Sequence, residues 1–189
     1  MLQKTLILIK PDALQRGLVG EIIARLECKG LKIVALKMLY ITPELAQQHY
    51  AEHIDKPFYP SLEQYITSSP VIAMVVSGPD AISVVRLMVG PTNGLSAPAG
   101  TIRGDFSTSH RLNLIHASDS ETSAEREVAV FFDASEISHS MVASFSGRLP
   151  KCDISTAALN VSSFVQINLF ISANGTVRLQ NMLYSLPST

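Results

Sequence analysis

Short apolar runs alternate along this chain with segments whose apolar residues recur at helical spacing, and this alternation restricts the fold more than any other feature. Runs at residues 5–9, 31–39 and 71–77 predict buried strands, and the spacing at residues 18–26 predicts a helix that ends before Gly30. Strands separated by helices, without adjacent hairpin strands, indicate an α/β or α+β sandwich in which helices cover a small sheet. Further helices are predicted at residues 43–50 and 61–67, after Asp80, and at residues 121–131.

The composition favours a globular protein and argues against several classes of partner. The 189 residues are 47% hydrophobic, enough for a core, and the formal net charge of −1 gives no overall basic field for nucleic acid or an anionic membrane. No apolar run approaches the roughly 20 residues of a membrane span, and the first run is too short for a signal peptide. Cys28 and Cys152 are not in a metal-binding spacing, so neither a zinc site nor a disulfide framework is indicated. A cytoplasmic protein is therefore expected.

Residues 90–111 show no apolar period and are interrupted by prolines and glycines, which predicts a long loop leading towards His116. Lys10, Arg86 and Arg103 are further cations in this loop or on neighbouring elements. No GxxxxGK[ST] or GxGxxG segment occurs, so a site for nucleotide phosphates would need side chains and a metal ion in place of a glycine-rich backbone. Taken alone, a single histidine is more often an ordinary polar residue than a nucleophile.

Five segments change that interpretation of the histidine. They are, in chain order, KPDALQRGLVGEII, HYAEHIDKPFYP, RLMVGPTN, GTIRGDF and NLIHASDS. In this order and spacing they resemble the nucleoside diphosphate kinase family over about residues 3–137. The resemblance implies an α+β fold of ferredoxin-like type, βαββαβ, with a four-stranded antiparallel sheet, helices on one face and extra helices that form a nucleotide cleft. It also implies transfer of the γ-phosphate of a nucleoside triphosphate to a nucleoside diphosphate, by a ping-pong mechanism through phosphorylated His116.

The resemblance assigns roles to individual residues. His116 is the expected nucleophile, Glu127 orients its ring, and Lys10 completes the catalytic set. A hydrogen bond at the second ring nitrogen would fix the tautomer and stabilise the developing charge. Mg²⁺ is the implied cofactor, held mainly by the nucleotide phosphates with Asp119 as a further candidate, and Ser118 is expected to support the nucleophile. The implied nucleotide-binding residues are Lys10, Tyr50, Phe58, Leu62, Arg86, Thr92, Arg103 and Asn113.

Charge and stacking give these roles a physical basis. Three fixed cations and Mg²⁺ would offset the charge spread over the transferred phosphoryl oxygens. Phe58, with Leu62 behind it, would stack on a base without contacting the base edges, so broad nucleotide specificity is expected. Asn113 would meet the ribose.

Partners follow from the same resemblance. Nucleoside di- and triphosphates are the expected ligands, a homo-oligomer (hexamer or tetramer) is implied, and neither membrane nor nucleic acid is an expected partner. The alternative is a noncatalytic scaffold or nucleic-acid-binding protein that keeps the fold. Intact Lys10, Arg103, His116 and Glu127 argue against this alternative.

The chain divides at about residue 139. Residues 1–139 are expected to form the domain that resembles this family, whereas residues 140–189 carry few charges, many serines and threonines, and no recognised pattern. Apolar segments on either side of Asn174-Gly175 predict a β-hairpin, and a disordered tail is the alternative. The role of this extension is left open.

Overall fold

The computed structural model describes residues 2–138 and, further along the chain, the backbone of residues 169–171 and 177–179. Four strands and seven helices occur within residues 2–138, joined in places by short 3-10 turns. The strands are β1 (Leu2–Ile9), β2 (Lys32–Leu39), β3 (Val71–Pro79) and β4 (Ile115–Ala117). The helices are α1 (Pro11–Gln15), α2 (Val19–Cys28), α3 (Pro43–His49), α4 (Tyr59–Ile66), α5 (Ala81–Val89), α6 (Ile102–Phe106) and α7 (Glu121–Phe131).

The four strands form one antiparallel sheet in the order β2-β3-β1-β4. β1 pairs with β3 along its length and with β4 on its other side, where Leu8 lies opposite His116. β2 pairs with the free side of β3, with a register shift between Ile33 and Ala35. Helices α3 and α4 are inserted between β2 and β3 of an otherwise βαββαβ order. The predicted ferredoxin-like α+β fold is confirmed.

Both faces of the sheet are covered, because alternate residues of its central strands point to opposite sides. Ile7 and Ile9 pack in the cluster that includes residues of α2 and α5, whereas Leu6 and Leu8 pack in the cluster that includes residues of α3, α4 and α7. The crossover helices α2 and α5 thus share one face, as expected, and the additional helices α3, α4 and α7 cover the other. β3 is accordingly buried at every position except its last residue, so it has no polar face to turn towards water.

The predicted strands and longer helices are confirmed to within a few residues at their ends. Thr42 caps α3 as predicted, since its hydroxyl accepts a backbone hydrogen bond at 3.2 Å and Pro43 takes the first helical position. The predicted long loop at residues 90–111 is wrong in part, because it contains α6. With five residues, that helix is too short to show an apolar period, and it begins after Thr101, whose hydroxyl accepts from Gly104 N at 3.0 Å.

The C-terminal part of the chain belongs to a second compact unit. Strands β5 (Leu169–Ile171) and β6 (Val177–Leu179) pair there in antiparallel fashion. They coincide with part of the predicted hairpin, whose Asn174-Gly175 turn lies outside the described residues. The boundary at residue 139 and the role of the extension stay predictions.

None of the helices in the described part of the chain is both long and apolar enough to cross a membrane. Cys28, the last residue of α2, is disulfide-bonded, a bond that the cysteine spacing did not indicate.

Gly90 ends α5 in a conformation, φ 82° and ψ 174°, that is open essentially to glycine. A Cβ atom at this position would lie 2.6 Å from Thr101 Oγ1. We expect Gly90→Ala to lower the free energy of unfolding by about 2 kcal/mol or more, because a clash adds to the backbone strain. Urea titration measures this change. Gly17→Ala is the matched control, since Gly17 has a φ of 66° with nothing within 4 Å, and about 1 kcal/mol is expected. Equal losses in the two variants would contradict the clash.

Candidate functional site

His116 occupies the middle of β4, an edge strand of three residues. Its side chain is 23% exposed, and its ring Nε2 lies 2.8 Å from Glu127 Oε2. The sheet therefore presents one imidazole at its edge, with one ring nitrogen held by a carboxylate from α7.

Glu127 is buried, and two side chains donate hydrogen bonds to its carboxylate. Ser118 Oγ donates to the same Oε2 at 2.8 Å and accepts from Leu6 N at 3.3 Å. Burial by itself would raise the pKa of Glu127, but the hydrogen bonds from His116 and Ser118 hold that pKa below its usual value. An ionised carboxylate only accepts, so Nε2 carries the proton and Nδ1 of the neutral ring keeps the lone pair.

Lys10 follows β1 directly, and its ammonium group is buried. Nζ donates to Asn113 Oδ1 at 2.7 Å. Burial and the positive charge of Arg103 lower the pKa of Lys10 to about 8, against a smaller opposing effect of Asp12. Because this pKa lies below the ordinary value of 10.5, the folded protein binds fewer protons than the unfolded chain between these values. Its stability therefore increases as the pH rises from about 8 to 10.5.

Arg103 joins three chain segments through backbone carbonyls. Its guanidinium is 4% exposed. Nη1 donates to Gly90 O at 2.9 Å, Nε to Asn113 O at 3.2 Å and Nη2 to Ile115 O at 2.6 Å. Burial, and then the charge of Arg86, lower the pKa of Arg103 to about 10.

Arg86 approaches β4 from α5, and its Nη1 donates to Ala117 O at 3.4 Å. The two arginines thus bind carbonyls of the residues on either side of His116. Within residues 2–138, neither arginine nor Lys10 has a carboxylate within 4.0 Å. Cations that are gathered without matching carboxylates create a local positive potential, which is the electrostatic character of an anion site.

A row of rings leads from His116 to the surface. Centroids are 4.7 Å apart for His49 and His116, and 4.3 Å apart for His49 and Tyr50. The row continues through His53, 6.3 Å from Tyr50, to Phe58, 5.6 Å from His53. Phe58 is 52% exposed, whereas Tyr50 is buried. Burial raises the pKa of Tyr50, whose hydroxyl has no hydrogen-bond partner in the described part of the chain.

The remaining predicted residues are Thr92, Leu62 and Asp119. Thr92 is exposed, and its carbonyl accepts from Asn113 Nδ2 at 3.1 Å. Leu62 is half-buried against the core on the side of α3 and α4. Asp119 is exposed, and a hydrogen bond from Ser123 is the main cause that holds its pKa below the usual value.

An open groove of about 890 Å³ lies beside this cluster. Arg86, Gly90, Thr101 and Asp119 are among its lining residues, but His116 is not. The groove thus shares Arg86 and Asp119 with the predicted site but does not include the imidazole.

Asp12 is a site residue that sequence reasoning missed, since KPD was interpreted only as a turn. Its carboxylate accepts hydrogen bonds from Leu114 N, at 3.1 Å, and from the Tyr65 hydroxyl. Leu114 has a φ of 69°, and Lys10 N donates to its carbonyl at 2.8 Å. The Asp12 carboxylate and Lys10 N thus bind both backbone polar groups of Leu114, and we call this pair of contacts the clamp on Leu114. The clamp fixes the direction in which the chain enters β4.

His49 is the second residue that sequence reasoning missed. It belongs to the segment HYAEHIDKPFYP, where only its neighbour Tyr50 and, further along, Phe58 received roles. Its ring is 3% exposed and packs against the rings of His116 and Phe131. No sequence signal separates a packed histidine from a functional one.

Comparison with known proteins gives a consistent result. The family model described as Nucleoside diphosphate kinase matches residues 3–137. A nucleoside diphosphate kinase of Rhodopirellula baltica is 58% identical over 135 residues, which cover 71% of this chain and 89% of that protein. The corresponding protein of Archaeoglobus fulgidus is 59% identical over 136 residues, covering 72% of this chain and 90% of that protein. Among solved structures, the nucleoside diphosphate kinase of Halobacterium salinarum in complex with CDP superposes with a TM-score of 0.72 at 50% identity, covering 73% of this chain and 92% of that one.

The clamp on Leu114 is testable by removing its acceptor. Asp12→Ala leaves Leu114 N–H buried without a partner, so we expect the free energy of unfolding to fall by about 1–3 kcal/mol. The Leu114 amide should also lose its protection from hydrogen exchange, measured by NMR. Tyr65→Phe is the control, because it removes a donor to Asp12 and leaves the bond to Leu114. If the Leu114 amide exchanges equally slowly in Asp12→Ala and in the unaltered protein, the clamp is not what holds this residue.

Proposed function

Because this chain belongs to the nucleoside diphosphate kinase family, we propose that its reaction passes through a phosphorylated His116. As a member of that family it is a phosphotransferase, and it transfers the γ-phosphate of a nucleoside triphosphate to a nucleoside diphosphate. The proposal concerns the residues of this chain that carry the reaction.

One observation supports His116 above any other residue. Its Nε2 is hydrogen-bonded to an ionised, buried Glu127, which leaves the Nδ1 lone pair available, and two guanidiniums bind the carbonyls on either side of it. A nucleophile with a fixed tautomer, beside uncompensated positive charge, suits attack on a polyanionic phosphate.

The chemistry divides into two matched half-reactions. Nδ1 attacks the γ-phosphorus of a nucleoside triphosphate, a P–N bond forms, and the bond to the bridging oxygen breaks, so the nucleoside diphosphate leaves with that electron pair. Glu127 stabilises the positive charge that develops on the ring through the Nε2–H hydrogen bond. In the second half-reaction an oxygen of another diphosphate attacks the same phosphorus, and the P–N bond breaks. Donor and acceptor are chemically alike, so one set of cations serves both halves.

Lys10, Arg86 and Arg103 are the proposed phosphate-binding cations. The burial of Lys10 and Arg103 supports this role, because an anion would offset the desolvation and, secondly, the repulsion from a neighbouring arginine that lower both pKa values. Tyr50 is proposed as a donor to the ligand, since its hydroxyl lacks a partner within the described residues. Thr92 is proposed as a further phosphate contact.

The Asn113 side chain orients Lys10, and we also propose that it contacts the ribose. Its Oδ1 accepts from Lys10, and its Nδ2 donates to the carbonyls of Thr92 and His110. The amide thus ties Lys10 to the loop that carries Thr92.

The proposed base platform is Phe58 with Leu62. The exposed ring of Phe58 offers a stacking face at the outer end of the row of rings. Stacking makes few distinctions among bases, so tolerance of several nucleotides stays our prediction.

Mg²⁺ fits the residues only as a partner of the nucleotide. Asp119, exposed and with a lowered pKa, is the carboxylate among the predicted residues that is available to such an ion, and Mg²⁺ is commonly held by one or two carboxylates together with substrate phosphates. When bound, the ion would neutralise phosphate charge. Ser118 is proposed to act through its hydrogen bond to Glu127.

We also propose a homo-oligomer, a hexamer or tetramer. Large apolar side chains exposed on one protomer support assembly, among them Leu2, Tyr40, Leu87 and Leu95. A cytoplasmic location and the lack of a nucleic-acid partner stay predictions.

Labelling with γ-labelled ATP tests the phosphorylated histidine. We expect acid-labile, base-stable label on the protein, removed by added diphosphate, and complete loss of label in His116→Ala because this variant lacks the proposed nucleophile. His110→Ala is the matched control, since His110 is exposed and contacts Asn113 only through its backbone carbonyl. Label that persists in His116→Ala would place the nucleophile elsewhere. Absence of label with salt-sensitive DNA binding would favour the noncatalytic alternative.

The pH dependence of kcat/KM tests Lys10. Its pKa of about 8 means that the unliganded enzyme loses this charge above that pH, so we expect kcat/KM to fall about tenfold per pH unit there. Lys10→Gln should have a low kcat/KM that does not change across the same range. The same alkaline decline in Lys10→Gln would assign it to another group.

A further inference from the structure

His49 stands out because its polar ring is buried. Its ring is 3% exposed, and neither Nδ1 nor Nε2 has a partner in the described part of the chain. Leaving such groups unsatisfied is energetically unfavourable, so a buried ring of this kind calls for a physical reason.

The ring lies against two residues that are themselves good metal ligands. One ligand atom from each of His49, His116 and Glu127 lies within 4.8 Å of the others. Two imidazoles and one carboxylate form the donor set that holds Zn²⁺ in three-ligand sites with an open fourth position. Tetrahedral bonds of about 2.0–2.1 Å place ligand atoms about 3.3 Å apart, so small side-chain rotations would bring the three into range.

We propose that His49, His116 and Glu127 form a site for Zn²⁺, and that the bound ion inhibits the enzyme. The inhibitory half of this inference rests on the proposed role of His116 as nucleophile. The site itself rests only on the positions of the three side chains.

Charge and access at the site both bear on the binding of a metal ion. Arg126, 3.8 Å from Glu127 Oε1, opposes binding of a dication, whereas the ionised Glu127 favours it. Access is through the partly exposed His116, the face that an incoming phosphate would also use.

Either ring nitrogen of His116 would give inhibition. An ion on Nδ1 occupies the lone pair that attacks phosphorus. An ion on Nε2 displaces the hydrogen bond to Glu127 and leaves the single ring proton on Nδ1, which then has no lone pair to offer. Bound Zn²⁺ therefore prevents phosphoryl transfer in two ways. It occupies space beside the ring, and it leaves Nδ1 without a lone pair for attack on phosphorus.

Titration with Co²⁺, a visible probe of tetrahedral sites, tests binding without any nucleotide. The unaltered protein should show a d–d absorption band that one equivalent of Zn²⁺ removes. His49→Phe, which replaces one ring by another of similar size, should bind at least tenfold more weakly. His110→Phe, in an exposed position, should bind as the unaltered protein does. If His49→Phe does not fold, as judged by circular dichroism, His49→Leu replaces it. A band of unchanged intensity and affinity in the His49 variants, or none in the unaltered protein, would overturn the site.

Inhibition is measured separately, with free Zn²⁺ buffered and Mg²⁺ and nucleotides held constant. Each variant is compared with its own rate in the absence of Zn²⁺. We expect the half-inhibitory concentration to rise at least tenfold in His49→Phe and to stay unchanged in His110→Phe. Equal inhibition in all three proteins would overturn the inhibitory role and point to Zn²⁺ on the nucleotide. Labelling of His116 tests the proposed function independently, so its failure is distinguishable from failure of the metal site.

Discussion

Arg103 holds the functional part of this structure together. Its guanidinium binds carbonyls at the end of α5, before β4 and within β4, and so joins three segments that no other single side chain connects in the described part of the chain. Among residues 2–138 this buried charge has no ion-pair partner, which costs free energy unless something negative is nearby. This unfavourable burial of charge occurs where a phosphate is proposed to bind. Hydrogen bonds to carbonyls satisfy the geometry of the guanidinium while leaving its charge uncompensated.

Near the imidazole, too, a neutral side chain orients a cation without neutralising its charge. Asn113 receives the hydrogen bond of Lys10, and an amide can orient an ammonium group without neutralising it. Glu127, by contrast, is charged, and it contacts the nucleophile rather than the phosphate-binding cations. A neutral partner for each cation and an ionised partner for the ring give a site that is rigid before the ligand arrives. Preorganisation of this kind reduces the reorganisation needed in the transition state.

Much of the fold could be predicted from local patterns, because apolar runs and helical periods report burial directly. β3 reads as a strand from its composition, and Thr42 with Pro43 marks the start of α3. α6 could not be predicted from periodicity, since five residues do not complete two turns. The site was predicted through whole segments that resemble a family, and not through spacing. Contacts such as Asp12 with Leu114, about a hundred positions apart, leave no local pattern in the sequence.

The position of β4 has a consequence for synthesis of the protein. β1 pairs with β3 along one side, but its other side is covered by a strand more than a hundred residues later. On the ribosome, a three-stranded sheet can form while the outer hydrogen-bonding groups of β1 still face water, and only the emergence of Ile115–Ala117 closes that side. Until β4 emerges, the outer edge of β1 in the nascent chain is therefore open to pairing with other chains.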